Sequence, residues 1–144
     1  MEILLKPIGV IHSPFTDKTG IPVQSFHSDE LGWVEVNKEY ERGLRDLEGF
    51  SHIILLYYYE TGETRLEVKP VLGTRTHGIF ATRDLRRPNR LGFSVVRLLE
   101  KKGNILKIRG VDVLEGSPLL DIKPYVPAFD GRSGCRIGWL EGKV

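Results

Sequence analysis

Four arginines crowd one short stretch of this chain, Arg83, Arg86, Arg87 and Arg90, and Pro88-Asn89 forces a turn among them. An apolar, strand-like start at Ile79-Phe80-Ala81 leads into the stretch, and a second apolar run begins at Gly92. Guanidinium groups this close repel one another, so the loop is most easily understood with something anionic against it. The plainer alternative is a solvated basic loop, the usual condition of a charge run. A second cluster, Asp121-Ile122-Lys123-Pro124-Tyr125, offers an acceptor, a donor and a ring beside a stiff proline. Asp121 and Lys123 would share one face of a strand, where they could equally form a surface ion pair of little energetic worth. Gln24, in the loop Gly20-Ile21-Pro22-Val23-Gln24, carries an amide able to read a polar ligand edge, although a lone loop glutamine is most often solvated.

Other chemistries are poorly served. His12, His27, His52 and His77 stand apart, none in an i, i+4 pair or beside a cysteine, so no metal site is expected. His52 heads an apolar run and His77 precedes another, positions where a histidine usually has a structural role. No GxxxxGK[ST] occurs, and no GxGxxG follows a strand. Ser94 follows Gly92-Phe93 without the Gly-x-Ser-x-Gly pattern of a nucleophile elbow. The single cysteine, Cys135, cannot form an internal disulfide and reads as an incidental thiol in a reducing compartment.

The elements that must position these groups are short. The 144 residues suit one domain with a core, and 28% charged and 40% hydrophobic residues are ordinary for a soluble protein. A net charge of +2 means that any attraction for nucleic acid must come from local clustering. No run approaches the ~18 apolar residues of a membrane span. The start, Met1 to Pro7, lacks a signal-peptide pattern, which points to the cytoplasm. Ile3–Ile11 reads as a first strand, Trp33–Val36 as a second, and Lys38–Leu47 as the one helix, ended at Gly49. Ser51–Tyr59 is apolar enough for a strand covered on both faces. Gly92–Leu99 and Ile105–Arg109 flank Lys101-Lys102-Gly103-Asn104 as a hairpin, and Leu119–Ile122 is a last strand between Pro118 and Pro124. Several short strands with little helix imply a sheet closed on itself, a barrel or a sandwich.

Taken together these segments resemble one family. Ile8-Gly9-Val10-Ile11-His12-Ser13-Pro14-Phe15, Gly49-Phe50-Ser51-His52, Phe80-Ala81-Thr82-Arg83, Arg87-Pro88-Asn89 and Asp121-Ile122-Lys123-Pro124-Tyr125 follow the order found in the TrmO family, over roughly Pro7 to Pro127. The resemblance implies a mainly β fold, a small single-sheet β-barrel with one or two short helices. It implies a single domain over residues 1–144, with residues 128–144 as a C-terminal tail, that is usually a homodimer and binds S-adenosylmethionine. It further implies methyl transfer to N6 of threonylcarbamoyladenosine at position 37 of a tRNA, beside the anticodon.

Carried onto this chain, the methyl-donor site would draw on Val23, Gln24 and Ser25, on Glu60 and Thr61, on Arg83 and Phe93, and on Leu120, Asp121, Ile122 and Lys123. Asp121 is the candidate base, with Tyr125 the less favoured one, and Arg86, Arg87 and Arg90 would contact phosphates of the anticodon loop. Three positions depart from the pattern of bacterial members: Val23 stands where they have arginine, Glu60-Thr61 where they often have His-Gln, and Arg90 where they often have a second proline. Physically, a carboxylate suits a sulfonium or an ammonium, an aromatic face such as Tyr59 or Phe93 suits adenine, and Arg83 suits a carboxylate. Two alternatives stay open: an S-adenosylmethionine-dependent methyltransferase with another RNA or small-molecule acceptor, and a non-catalytic barrel that binds RNA or a nucleotide. The tail sequence Gly138-Trp139-Leu140 is apolar enough to dock on the barrel or on a partner subunit.

Overall fold

The structure, a computed structural model, describes residues 1–17, 21–22, 28–60 and 62–144. The chain divides into two compact units, one made of residues 1–59 and 92–125, the other of residues 60–91 and 126–144.

The first unit is a closed barrel. Its strands are β1 (Gly9–His12), β2 (Leu31–Val36), β3 (His52–Tyr58), β6 (Leu91–Lys102), β7 (Ile105–Arg109) and β8 (Ser117–Pro124). Around the barrel they run β1-β2-β7-β6-β3-β8, which closes the expected single sheet on itself and leaves no edge. Alternation sets what faces inward. Ile11, Val34, Val36, Ile53, Leu55, Tyr57, Val96, Leu106, Ile108 and Leu119 meet in one core, while their neighbours along each strand face outward. A six-stranded barrel is too narrow to leave an open lumen, so these side chains fill it.

Two bulges interrupt the ladders. Leu56 faces Asp121 but Tyr57 faces Leu119, which leaves Leu120 as the extra residue of β8. Leu98 faces Ile108 but Glu100 faces Lys107, so Leu99 is extra in β6. The β6–β7 hairpin is tighter than its sequence suggested. β6 continues through Lys102, and only Gly103-Asn104 turn, with Gly103 at φ 61°. Asn104 then ties the turn to the end of β2, its side-chain amide donating to the Val36 carbonyl at 2.8 Å.

Other elements of this unit also differ from expectation. The first strand begins at Gly9, and Ile3, Leu4 and Leu5 are exposed. The ladder reaches back to the Ile8 N–H, which donates to the Leu119 carbonyl at 2.7 Å, but Pro7 has no N–H with which to extend it. The expected helix is a 3₁₀ turn at Lys38–Leu44 and another at Leu47–Gly49. Arg45 is extended and Asp46 left-handed, which breaks the helix so that Leu44 and Leu47 both reach the core. Strand β3 is fully covered on its inner face and partly on its outer one, where Ile54 is buried and Leu56 and Tyr58 are half-buried.

In the second unit β4 (Glu67–Val68) pairs with β5 (His77–Gly78). Ile79–Ala81 is a 3₁₀ turn where a strand was expected: Ile79 is buried and Phe80 exposed. A short helix α1 (Pro127–Asp130) and a 3₁₀ turn at Gly138–Leu140 complete it. Trp139 docks within this unit: its indole N–H donates to the Ala81 carbonyl at 2.7 Å and its ring stacks on His77 with centroids 4.5 Å apart. The tail therefore packs on the segment before the arginines.

Candidate functional site

Three adjacent strands, β6, β3 and β8, form one wall of the barrel, and its outer surface carries Phe93, Asp121 and Lys123. On β6, Gly92 and Ser94 are buried, which turns Phe93 outward. On β8, Leu119 enters the core, the bulge at Leu120 adds a residue, and Ile122 packs inward again. Asp121 and Lys123 consequently share the outer face, and their side chains pair at 3.0 Å while 45% and 60% exposed. Asp121 is held from a second side, its Oδ1 accepting the Ile122 N–H at 2.9 Å. Tyr125 follows the end of β8, with its N–H on the His52 carbonyl at 3.1 Å and its ring edge-on to the His52 imidazole. Arranged this way, the wall presents a carboxylate whose direction is set by two donors.

The arginine loop and Glu60 belong to the second unit, and much of the loop's charge is answered from within. Asp84 accepts three bonds from Arg86, at 2.9 Å from its backbone N–H, 3.0 Å from Nε and 2.8 Å from Nη2. Glu63 lies 3.7 Å from Arg86 Nη1 and 3.0 Å from Arg65. The Arg86 guanidinium holds the Asp84 carboxyl below the usual carboxylate range, and in return Arg86 is raised, chiefly by its bond to Asp84. Arg87 donates to the Thr82 and Asp84 carbonyls at 2.8 and 3.0 Å, and its guanidinium lies 5.7 Å from the centre of the Phe80 ring. Arg90 donates to Thr64 at 3.4 Å. The loop is thus a folded scaffold with its arginines set in defined directions. Val23, Gln24, Ser25 and Thr61 lie outside the described residues.

Two clusters escaped the sequence reading. Inside the barrel the Tyr57 hydroxyl donates to Ser94 Oγ at 3.0 Å, and Ser94 donates onward to Asp112 Oδ1 at 2.6 Å. Burial first, then the nearby Asp112 carboxylate, pushes the Tyr57 phenol well above its ordinary value, so it stays a donor. Gly92 makes room for this ring, since a Cβ there would overlap it. On the outside His12 bonds Glu115 through Nδ1 at 2.5 Å, lies 3.5 Å from Glu35 through Nε2, and stacks on Trp33. Glu115 also accepts the Ser13 N–H, which ties the end of β1 to the segment before β8. The Gly-x-Ser step in β6 marks the first cluster, because its alternation turns Ser94 inward. No local signal joins His12 to Glu115, which a hundred residues separate. No group of three or more metal-ligating side chains occurs among the described residues.

Fold and site together define a closed antiparallel barrel that carries polar and aromatic groups on the outside of one wall. The chain belongs to the family of the tRNA-methyltransferase O N-terminal domain, whose profile matches residues 10–131. An S-adenosyl-L-methionine-binding protein of Archaeoglobus fulgidus is 42% identical over 142 residues, covering 98% of this chain and 99% of its own. A tRNA (adenine(37)-N6)-methyltransferase of Rattus norvegicus is 34% identical over 138 residues, 90% of this chain. This chain spans 32% of that enzyme's length. The crystal structure of TrmO from Pseudomonas aeruginosa superposes with a TM-score of 0.84 at 35% identity, covering all of this chain and 64% of that one.

Proposed function

We propose that this protein is an S-adenosylmethionine-dependent methyltransferase that methylates N6 of threonylcarbamoyladenosine at position 37 of a tRNA, working as a homodimer in the cytoplasm. Its family, the relatives named for S-adenosylmethionine binding and the rat adenine-37 N6-methyltransferase support the donor and the adenine acceptor. One structural observation carries the reading: the Leu120 bulge turns Asp121 out of the core onto the wall that bears Phe93.

These groups fit the donor. A carboxylate suits a sulfonium, and an exposed phenylalanine suits an adenine ring. S-adenosylmethionine, when bound, supplies the electrophilic methyl. The chain's own work is to align the acceptor nitrogen with that methyl, which is worth on the order of 7–11 kcal/mol as effective molarity, and to remove the N6 proton. Asp121 is the base: its carboxylate would take the N6 proton as the N–C bond forms and the methyl's bond to the donor sulfur breaks. Lys123, at 3.0 Å, and the Ile122 N–H fix its orientation. Leu120 and Ile122 flank it on β8, and Tyr125 lies beyond the strand's end. Val23, Gln24, Ser25, Glu60, Thr61 and Arg83 complete the donor site, and Arg86, Arg87 and Arg90 hold phosphates of the anticodon loop.

Mass spectrometry of tRNA nucleosides after incubation with donor and enzyme tests this. Methylated threonylcarbamoyladenosine is expected, with turnover by Asp121→Asn lower by roughly 10²–10⁴-fold at unchanged donor affinity. Full turnover by Asp121→Asn removes the assigned base, and methylation of a different acceptor replaces the substrate.

A further inference from the structure

The opposite side of the barrel carries residues that none of these roles uses. Strand β2 stands three places from β3 in either direction around the six, so its outer face looks away from the β6–β3–β8 wall. Pairing sets out three rows on the face made by β1, β2, β7 and β6. His12, Trp33, Lys107 and Glu100 form the middle row. Leu31, Arg109 and Arg97 lie on one side, and Glu35, Ile105 and Lys102 on the other. All point outward, because Gly32, Val34, Leu106 and Ile108 alternate with them as buried residues.

Trp33 is the centre of this face. His12 stacks on it with ring centroids 4.9 Å apart and planes inclined by 23°, which covers one side of the indole. The residue is nonetheless 48% exposed, so the other side is open. Glu115 and Glu35 hold the His12 ring, so the indole rests on a fixed support. A groove runs beside it, with Leu31 and Ile105 among its walls and Lys102, Lys107 and Glu100 at its edge. The side chains of Lys102, Lys107 and Arg97 form no hydrogen bond or ion pair with any described residue. Two nearby carboxylates are engaged elsewhere, Glu35 with His12 and Asp29 with Arg109 at 3.2 Å, so Glu100, opposite Lys107, is the one acid of these rows left to face Lys102, Lys107 and Arg97. Arg97 and Arg109 are direct cross-strand partners, and Asp29 answers Arg109 alone, which leaves Arg97 facing a like charge.

An open aromatic face with uncommitted lysines beside it suits a flat ring joined to phosphates. Unpaired nucleotides have that composition, and proteins that hold single strands do so by stacking bases on aromatic rings along a basic groove. A second copy of this chain suits it less well. Its uncommitted cations outnumber its uncommitted acids, so a two-fold contact would leave like charges buried together, and lysine is depleted from interface cores. We infer that this face is a second RNA-contact surface, where Trp33 stacks an unpaired base and Lys102 and Lys107 hold the flanking phosphates. The inference rests on tRNA being the substrate, and it concerns a segment of that RNA other than the methylated nucleotide.

Two measurements test it. Titration of the protein with a short oligouridylate should quench tryptophan fluorescence, and Trp33→Leu should abolish that quench, leaving the Trp139 signal. Fluorescence anisotropy with unmodified tRNA should give about 5- to 150-fold weaker binding for Trp33→Leu, the loss of one base stack. Lys102→Gln with Lys107→Gln should flatten the log–log salt slope by about 1.4. Donor affinity should be unchanged in both variants. Wild-type affinity for tRNA in both variants, with no oligouridylate quench, overturns the surface while leaving the methyltransferase reading intact. Quenching by oligouridylate without any tRNA binding or methylation sinks the tRNA reading, and with it the assignment of this surface to a segment of that RNA. Sedimentation showing that Trp33→Leu dissociates a dimer, with weaker RNA binding only where dimer is lost, assigns the face to a second copy and overturns the proposal.

Discussion

Ser94→Ala should destabilise the barrel far beyond what loss of one hydroxyl suggests, because Ser94 is the middle member of a buried chain. It is 2% exposed, accepts from Tyr57 at 3.0 Å and donates to Asp112 at 2.6 Å. Removing a hydrogen bond to a carboxylate costs about 1.5–3 kcal/mol, and leaving the Tyr57 hydroxyl buried without this acceptor adds about 1–3 kcal/mol. Partial relaxation lowers the sum, so a loss of about 2–4 kcal/mol is expected. Tyr57→Phe removes only the neutral bond, worth about 0.5–1.5 kcal/mol, since Ser94 can still donate to Asp112. The double variant should cost less than the two singles added, by about 1 kcal/mol, because the stranded phenol hydroxyl is gone. Urea unfolding of the four proteins closes this cycle, with m-values confirming that the unfolded state has not changed. A Ser94→Ala loss below about 0.5 kcal/mol, the ordinary value for a surface change, refutes the idea that the chain supports the fold. Strict additivity refutes the link between Tyr57 and Ser94.

Two further outcomes concern the second unit. Trp139→Ala removes the bond to Ala81 and the stack on His77, together about 1–3 kcal/mol, so amide exchange in residues 66–82 should accelerate while the barrel strands stay protected. Unchanged exchange there would show that the tail contributes nothing to this unit. Asp84 has a folded-state pKa below its unfolded value, held there chiefly by Arg86, so its contribution is present above about pH 3.9 and disappears as pH falls through the lowered folded value. Acid should therefore loosen the loop of residues 82–90 below about pH 4, whereas Asp84→Asn should show no such acid limb, and equal acid responses of the two proteins would remove the Asp84–Arg86 pair as the cause.

Much of the barrel was legible because alternation is a local signal. Leu106 and Ile108 between Lys107 and Arg109 announced a strand with one wet face, and the burial of those two residues follows it. Apolar content alone misled in two places. Ile3, Leu4 and Leu5 look like a strand, but Pro7 ends the ladder and leaves them exposed. Ile79-Phe80-Ala81 also looks like a strand, yet its residues turn so that Thr82 can bond the Ile79 carbonyl through both N–H and hydroxyl. The crowded arginines were visible in the sequence, but Asp84 and Glu63, which answer Arg86, were not recognised as partners because charge counting carries no direction. The His12–Glu115 contact depends on barrel closure and has no trace in any short window.

The bulge at Leu120 decides what kind of protein this barrel can be. Strict alternation from Ser117 and Leu119, both buried, would send residue 121 into a core made mainly of Ile, Leu and Val side chains. An ionised Asp121 there would pay a desolvation penalty of several kcal/mol, with no room in the filled barrel for a compensating partner. The extra residue shifts the phase, so that Ile122 takes the inward place and Asp121 joins Lys123 outside. Asp121 and Lys123, two residues apart, share a face in either register, and the shift makes that face the outer one. The one-residue change of register thus leaves the interior to apolar and uncharged side chains and puts the Asp121–Lys123 pair on the wall. On β6 the same division holds within three residues: Gly92 and Ser94 serve the interior and Phe93 the surface, so a fault in the buried chain of hydroxyls is transmitted directly to the strand that presents the aromatic ring.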